Sequence, residues 1–176
     1  MHMKIVKIDL VQIQEIYDNY LVNDFIVDEV KPFDEIKRMY LDNKYEGYAY
    51  YDDNVLIAYA FIAFDDDIAL LDYFACIYRN RGYGSLFINE LKKIYEDKIM
   101  VVECEKIIDN DVIQEKRLHF YLKNDFVLTD ISLNLYYVDY VILSSKEDKE
   151  LKNSLLKMYK YMMGSKLNRV CKFYDR

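Results

Sequence analysis

The sequence predicts a mixed α/β fold: a mostly antiparallel sheet of six to seven strands, helices on both faces, and one further helix near the C-terminal end. Three observations carry this. Hydrophobic residues make up 53% of the 176 residues, enough for a packed core and too many for a disordered chain. The apolar pattern switches between short, nearly continuous runs, which read as strands, and three-to-four spacing, which reads as helix. The resulting order, β-α-α-β-β-β-α-β-α-β-β-α, mixes hairpins with one strand–helix–strand crossover, so it is not an alternating doubly wound fold. No linker, repeat or composition shift interrupts it. Residues 1–176 are therefore expected to form a single domain, with a core at about 3–143 and a helical extension at about 147–163.

Each element has a local reason. Residues 3–8 alternate as a strand, and Asp9 is placed to cap a helix at 10–21 with Val11, Ile13, Ile16, Tyr17 and Tyr20 at helical spacing. The pattern breaks over 23–31. Pro32, the only proline, fits the first turn of a second helix reaching Leu41, closed by Asn43-Lys44. Strands at 47–51 and 55–64 flank Asp52-Asp53-Asn54, a hairpin signal. Asp65-Asp66-Asp67 turns the chain into a strand at 68–76; turn chemistry accounts for these aspartates without a bound cation. A helix at 83–96 leads to an almost wholly apolar strand at 99–104, as expected of a strand buried on both faces. Strand, helix and strand together read as a right-handed crossover between parallel neighbours. Asp109-Asn110-Asp111 caps a helix at 112–123, strands at 126–129 and 133–143 read as a last hairpin, and 147–163 as a terminal helix. Leu151, Leu155, Met158 and Met162 share one face of that helix, a packing face or a homodimer face.

Composition removes several classes of function. A net charge of −7 disfavours nucleic acid, which needs a basic face, and would attract a small cationic substrate. Three cysteines without C-x-x-C spacing imply neither a disulfide framework nor a zinc site; Cys76 and Cys104 lie in apolar strand runs and read as small buried hydrophobes. His2 and His119 are the only histidines, too few for a histidine metal cluster, and no metal is expected. No apolar run approaches the ~20 residues that cross a bilayer, and no charged-then-apolar leader opens the chain. The expectation is a soluble cytoplasmic protein with no membrane partner.

The chemistry concentrates in Arg79-Asn80-Arg81-Gly82-Tyr83-Gly84-Ser85, set between a strand and a helix. The chain has four glycines, and two fall here, one residue apart. Glycine lets a backbone approach a ligand closely, and a helix start offers unpaired N–H groups and a positive dipole end. Strand, glycine turn and helix start together suit an anion, above all phosphate. The stretch lacks the Lys-Ser/Thr pair of a P-loop and the three-glycine spacing of a dinucleotide fold. A turn that needs glycine for its shape alone would use the same residues.

This strand, Arg79-x-x-Gly82-x-Gly84 and helix resemble the acyl-CoA-binding motif of the GNAT family of N-acetyltransferases. Arg117-Leu118-His119-Phe120-Tyr121-Leu122-Lys123-Asn124-Asp125-Phe126 is similar to the family's C-terminal motif, with Asp125 where glycine is usual and Gln114 where asparagine is common. A small polar residue can still adopt the left-handed helix stop. Lys31-Pro32-Phe33 and the tyrosine-rich last hairpin resemble a group of small bacterial members, and the element order over 3–143 is similar to the family's.

The resemblance implies an enzyme in which an acceptor amine attacks the thioester of acetyl-CoA directly. Phe74, Ala75 and Cys76 would pair with the pantetheine, one of their N–H groups polarising the thioester carbonyl. Arg79 to Ser85 would cradle the pyrophosphate through main-chain amides, and Arg79 and Arg81 are of a type that pairs with phosphate, though either could be a solvated charge. Tyr121 would protonate the leaving thiolate; the plainer reading is a core tyrosine. Asp72 or Glu103 would take the proton from the acceptor, since both are acidic residues in apolar runs where burial raises a carboxylate's pKa. Phe25, Glu29, Tyr40, Tyr136 and Tyr137 are candidates for the acceptor pocket. The acceptor stays open among small amines, antibiotics, polyamines and proteins. The rival readings are a non-catalytic acyl-CoA-binding module and an interaction protein dimerising through the terminal helix.

Overall fold

Capping chemistry decides where the first helix begins. The Asp9 side chain accepts from the Gln12 N–H at 2.9 Å, and Gln12 Oε1 accepts from the Asp9 N–H at 3.1 Å, a reciprocal capping box. The computed structural model describes residues 3–175, and at 3, 28 and 175 the backbone alone; His2 lies outside them. Strand β1 (Met3–Ile8) leads into α1 (Leu10–Ile16), a π-helical turn (Tyr17–Leu21) and α2 (Val22–Asp24). The helical stretch thus runs three residues past the expected end at Leu21. A short 3₁₀ turn (Val27–Glu29) and Pro32 precede α3 (Phe33–Leu41), with the proline at the cap position.

The chain divides into two compact units. The first holds residues up to Phe64 together with Leu71–Leu91; the second holds Asp65–Leu70 and the residues from Lys92 on. In the first, β1 pairs antiparallel with β2 (Tyr45–Asp52) and β2 with β3 (Val55–Phe64). The β2–β3 turn carries Asp53 and Asn54 at φ 45° and 73°, the left-handed pair that a two-residue hairpin needs. β3 is buried from Ile57 to Ala63, so both of its faces are covered. Ile13 and Ile16 of α1 and Ile36 and Met39 of α3 are buried. Gly47 admits α1: a Cβ there would lie 2.7 Å from Ile13 Cγ1 and 2.9 Å from Ile8 Cγ1. β4 (Ile68–Cys76) falls at its predicted residues, and α4 (Tyr83–Ile94) ends two residues before Glu96. Phe87 of α4 stacks on Tyr50 at 5.5 Å and on Phe74 at 5.6 Å.

In the second unit β5 (Ile99–Glu105) is followed by α5 (Val112–Lys123), whose cap Asp111 accepts from the N–H groups of Ile113 and Gln114. The last hairpin corrects the sequence reading. Its strands are β6 (Val127–Leu135) and β7 (Val138–Ser144), so the turn sits at Tyr136-Tyr137 and not at 130–132. Both tyrosines take positive φ, 48° and 70°, without any of the residues that normally mark such a turn. The stretch expected to turn holds instead a shift in register between Leu128 and Ser132. α6 (Leu151–Met163) buries Leu151, Leu155, Met158, Tyr159 and Met162, so its apolar face packs within the chain and is not open for a second copy. After α7 (Leu167–Val170) comes β8 (Cys171–Asp175), which the sequence reading lacks; it pairs with β6, and Phe173 meets Tyr159 edge-on at 5.5 Å. The strand order is β1-β2-β3-β4-β5-β7-β6-β8, eight strands where six to seven were expected. The sheet is mostly antiparallel with helices packed on it, the predicted class. No helix among the described residues is long and apolar enough to cross a membrane.

Gly47→Ala is expected to lower stability by about 1–3 kcal/mol, the usual cost of overpacking, because the new methyl meets two branched side chains. Urea unfolding followed by circular dichroism measures it; an unchanged midpoint would mean that α1 yields freely.

Candidate active site

In the first unit β4 stops at Cys76, and Ile77 gives one last N–H to Ile57 O at 2.9 Å. The chain then bends through Asn80 at φ 61° and Gly82 at φ 79°. Gly82 O accepts the Leu86 N–H at 3.2 Å, which makes Gly82 the residue that opens α4. The amides of Tyr83, Gly84 and Ser85 precede that first helical donor and have no partner within the helix. A Cβ built on Gly82 has no atom within 4 Å, so the main chain lies bare there. Arg79, Asn80 and Arg81 are exposed, and Arg81 lies 5.7 Å from the Tyr78 ring centre. Beside the loop is a hollow of about 370 Å³ lined by Asp52, Asp53, Tyr78, Arg81 and Tyr83 among others. Of the strand residues expected to meet the cofactor, Phe74, Ala75 and Cys76 are half-buried. Burial pushes the Cys76 thiol up to about 11, with Arg79 pulling it partly back, so it is no nucleophile at neutral pH.

Asp72 lies in the same unit, and its side chain is 3% exposed. Lys31 Nζ sits 2.5 Å from Oδ1, and Tyr45 Oη donates to Oδ2 at 2.6 Å. Burial, and then the neighbouring Asp72 charge, hold the Tyr45 phenol well above its usual pKa, so it stays a donor. Tyr73 completes the cluster. Its hydroxyl donates to Glu29 O and accepts the Lys31 N–H, both at 2.8 Å, and its ring lies 5.2 Å from Lys31 Nζ. Phe25 meets Tyr73 edge-on at 5.1 Å. Of the acceptor-pocket candidates, Phe25 and Glu29 therefore touch Tyr73, the neighbour of Asp72, Glu29 through its backbone, while Tyr40 is half-buried on α3. The sequence reading missed Lys31, Tyr45 and Tyr73. Its one signal was Lys31-Pro32-Phe33, which says nothing of a partner some forty residues away.

In the second unit Tyr121 is buried at the end of α5, with ring contacts to Phe120 at 5.3 Å and Phe126 at 5.7 Å. Its carbonyl accepts the Phe126 N–H, Leu122 O accepts the Asp125 N–H, and Asp125 stands at φ 61°. This is the helix stop usually made with glycine, complete with its apolar contact across the turn. Lys92 Nζ binds Asn124 O at 2.7 Å and lies 5.6 Å from the Phe126 ring. Glu103 is half-buried on β5 opposite Ile142. Its charge is the lesser cause that raises the buried Cys171 thiol to about 12, burial being the greater. Cys104 is likewise buried, its thiol raised to about 11. Tyr136 and Tyr137 form the hairpin turn, Tyr137 being 94% exposed, and His119 is exposed on α5. Among the described residues no group of three His, Cys, Asp or Glu side chains could hold a metal ion.

No protein-family model and no curated protein matches the sequence. Solved structures do. A protein from Bacteroides thetaiotaomicron described as an acetyltransferase of the GNAT family superposes with a TM-score of 0.72 at 20% identity, over 91% of this chain and 97% of that one. The ribosomal-protein-S18-alanine N-acetyltransferase of Escherichia coli gives 0.60 at 14% identity, over 84% and 97%. The PaiA N-acetyltransferase of Thermoplasma acidophilum, in complex with coenzyme A, gives 0.56 at 17% identity, over 84% and 100%. The chain has the fold of these proteins.

Asp125→Gly is expected to stabilise the protein by up to about 1 kcal/mol by removing a left-handed non-glycine residue, and Asp125→Val to destabilise it, both read from thermal melts. Asp72→Asn leaves the Lys31 ammonium without its counter-charge. Breaking such a pair from one side costs roughly 3–5 kcal/mol, seen as a lower denaturant midpoint; a loss under 1 kcal/mol would mean that the pair is well solvated.

Proposed function

We propose that this chain is an N-acetyltransferase of the GNAT family, transferring the acetyl group of acetyl-CoA to a primary amine. One observation carries the reading: an exposed loop opening a helix, with Gly82 at positive φ and open space where its side chain would stand. Such a loop fits a diphosphate. Its amides lie at the positive end of a helix dipole, no Cβ stands at Gly82, and Arg79 and Arg81 are exposed beside it.

Arg79, Asn80, Arg81, Gly82, Tyr83, Gly84 and Ser85 would hold the diphosphate of coenzyme A, and the main chain of Phe74, Ala75 and Cys76 its acyl arm. Bound acetyl-CoA supplies the activated acyl group. The chain's own work is to orient it, to take a proton from the acceptor and to return one to the thiolate. Tyr121 is our choice for the return: a phenol stays protonated at neutral pH, and the tight helix stop fixes its place. Asp72 and Glu103 remain the two candidates for the base. Asp72 already holds an ammonium, so it is a carboxylate site for a primary amine, and Lys31 must leave it before another amine can enter. That engagement is also the one observation favouring the rival, a non-catalytic acyl-CoA-binding module. A net charge of −7 suits a cationic acceptor drawn in by the field.

Calorimetry with coenzyme A tests the site. Gly82→Ala, strained by roughly 1–2 kcal/mol at this φ, is expected to weaken binding about tenfold. Thiol release from acetyl-CoA with an amine panel tests the reaction. Tyr121→Phe is expected to lower kcat about 10²-fold or more while leaving the KM for acetyl-CoA nearly unchanged. Binding without turnover by any amine would favour the rival module, and no binding would end both readings.

A further inference from the structure

Lys31 is held in an unusual way for a lysine. Both of its backbone groups are bonded to tyrosines, the N–H to Tyr73 Oη at 2.8 Å and the C=O to Tyr17 Oη at 2.9 Å. Its side chain is 22% exposed, crosses near the Tyr73 ring and ends against a carboxylate that is 3% exposed. A solvated lysine spends its rotamer freedom in water, and a buried ion pair of this kind is weak evidence for stability as such. The arrangement does achieve one thing: it fixes a primary amine, with a proton acceptor against it, on β4. Asp72 stands two residues before Phe74, roughly 7 Å along the strand, where the acyl arm would begin to pair.

We infer that Lys31 is an acyl acceptor of this protein, acetylated by the chain that carries it. The inference rests on the acyl-transfer reading above. Asp72 takes one proton from the ammonium, and the nitrogen lone pair attacks the thioester carbonyl carbon. A C–N bond forms and the C–S bond breaks. The nitrogen sheds its second proton as the amide forms, and the thiolate takes up a proton and leaves as coenzyme A thiol. The sum is lysine ammonium plus acetyl-CoA going to acetyl-lysine, coenzyme A and one proton. The product amide is neutral and no longer pairs with Asp72. The carboxylate keeps its Tyr45 bond and faces a vacated amine site. Self-acetylation is therefore a single event per chain that readies Asp72 for an amine from outside.

The test incubates the full chain with acetyl-CoA and follows intact mass, then maps the modified peptide. Expected is one acetyl group per chain, on Lys31, at a rate independent of protein concentration. Lys31→Arg keeps a cation for Asp72 and is expected to stay unmodified while binding coenzyme A like the parent. Asp72→Asn, if folded, is expected to slow the event about 10²-fold or more. Acetyl groups spread over exposed lysines such as Lys4 and Lys37 at rates equal to Lys31 would be chemical acylation and would overturn the inference. So would coenzyme A binding, or turnover of an added amine, with Lys31 untouched; the acyl-transfer reading would survive that result. Absence of coenzyme A binding would remove both.

Discussion

The first unit turns on one ion pair. Lys31 and Asp72 lie on parts of the chain that share no local structure, one before α3 and one within β4, and Tyr45 adds β2 to the same point. Successive residues of β4 both engage Lys31, Asp72 through the ammonium and Tyr73 through the backbone N–H. The pair orders the segment between α2 and α3, which has little regular structure of its own. The energetics set the sign. Neither charge is well solvated, so either one alone is costly, and the two stay together unless chemistry or a competing cation separates them.

What the sequence made legible was local. Asp9 and Asp111 cap the helices they precede, Asp53-Asn54 turns the hairpin, and β4 begins and ends where its apolar run does. Each of these is decided within a few residues. The misplaced hairpin shows the converse. Tyr136 and Tyr137 adopt a left-handed turn that their side chains disfavour, and the Tyr136 N–H is held by Val170 O at 2.8 Å, a contact from far along the chain. β8 was missed because five residues of weak alternation become a strand only where β6 offers a free edge.

The same division runs through the candidate site. The glycine loop and the end of α5 were readable because glycine at positive φ and a helix stop are short-range requirements. Even there the usual residue was replaced: Asp125 does the work of glycine, and Phe126 packing on Tyr121 offsets part of the cost. The acidic candidates could be named but not understood. Whether a carboxylate in an apolar run is a base, an anchor or a partner depends on what reaches it, and Lys31 reaches Asp72 from forty-one positions away.

The three thiols have a use beyond the fold. Burial raises Cys76, Cys104 and Cys171 to about 11, 11 and 12, so almost no thiolate exists at pH 7. The protein is thereby insulated from mild oxidants and from maleimide reagents. A cysteine placed at Tyr137, in full solvent, would be the single fast-reacting position on an otherwise natural chain, a ready handle for a fluorescent probe.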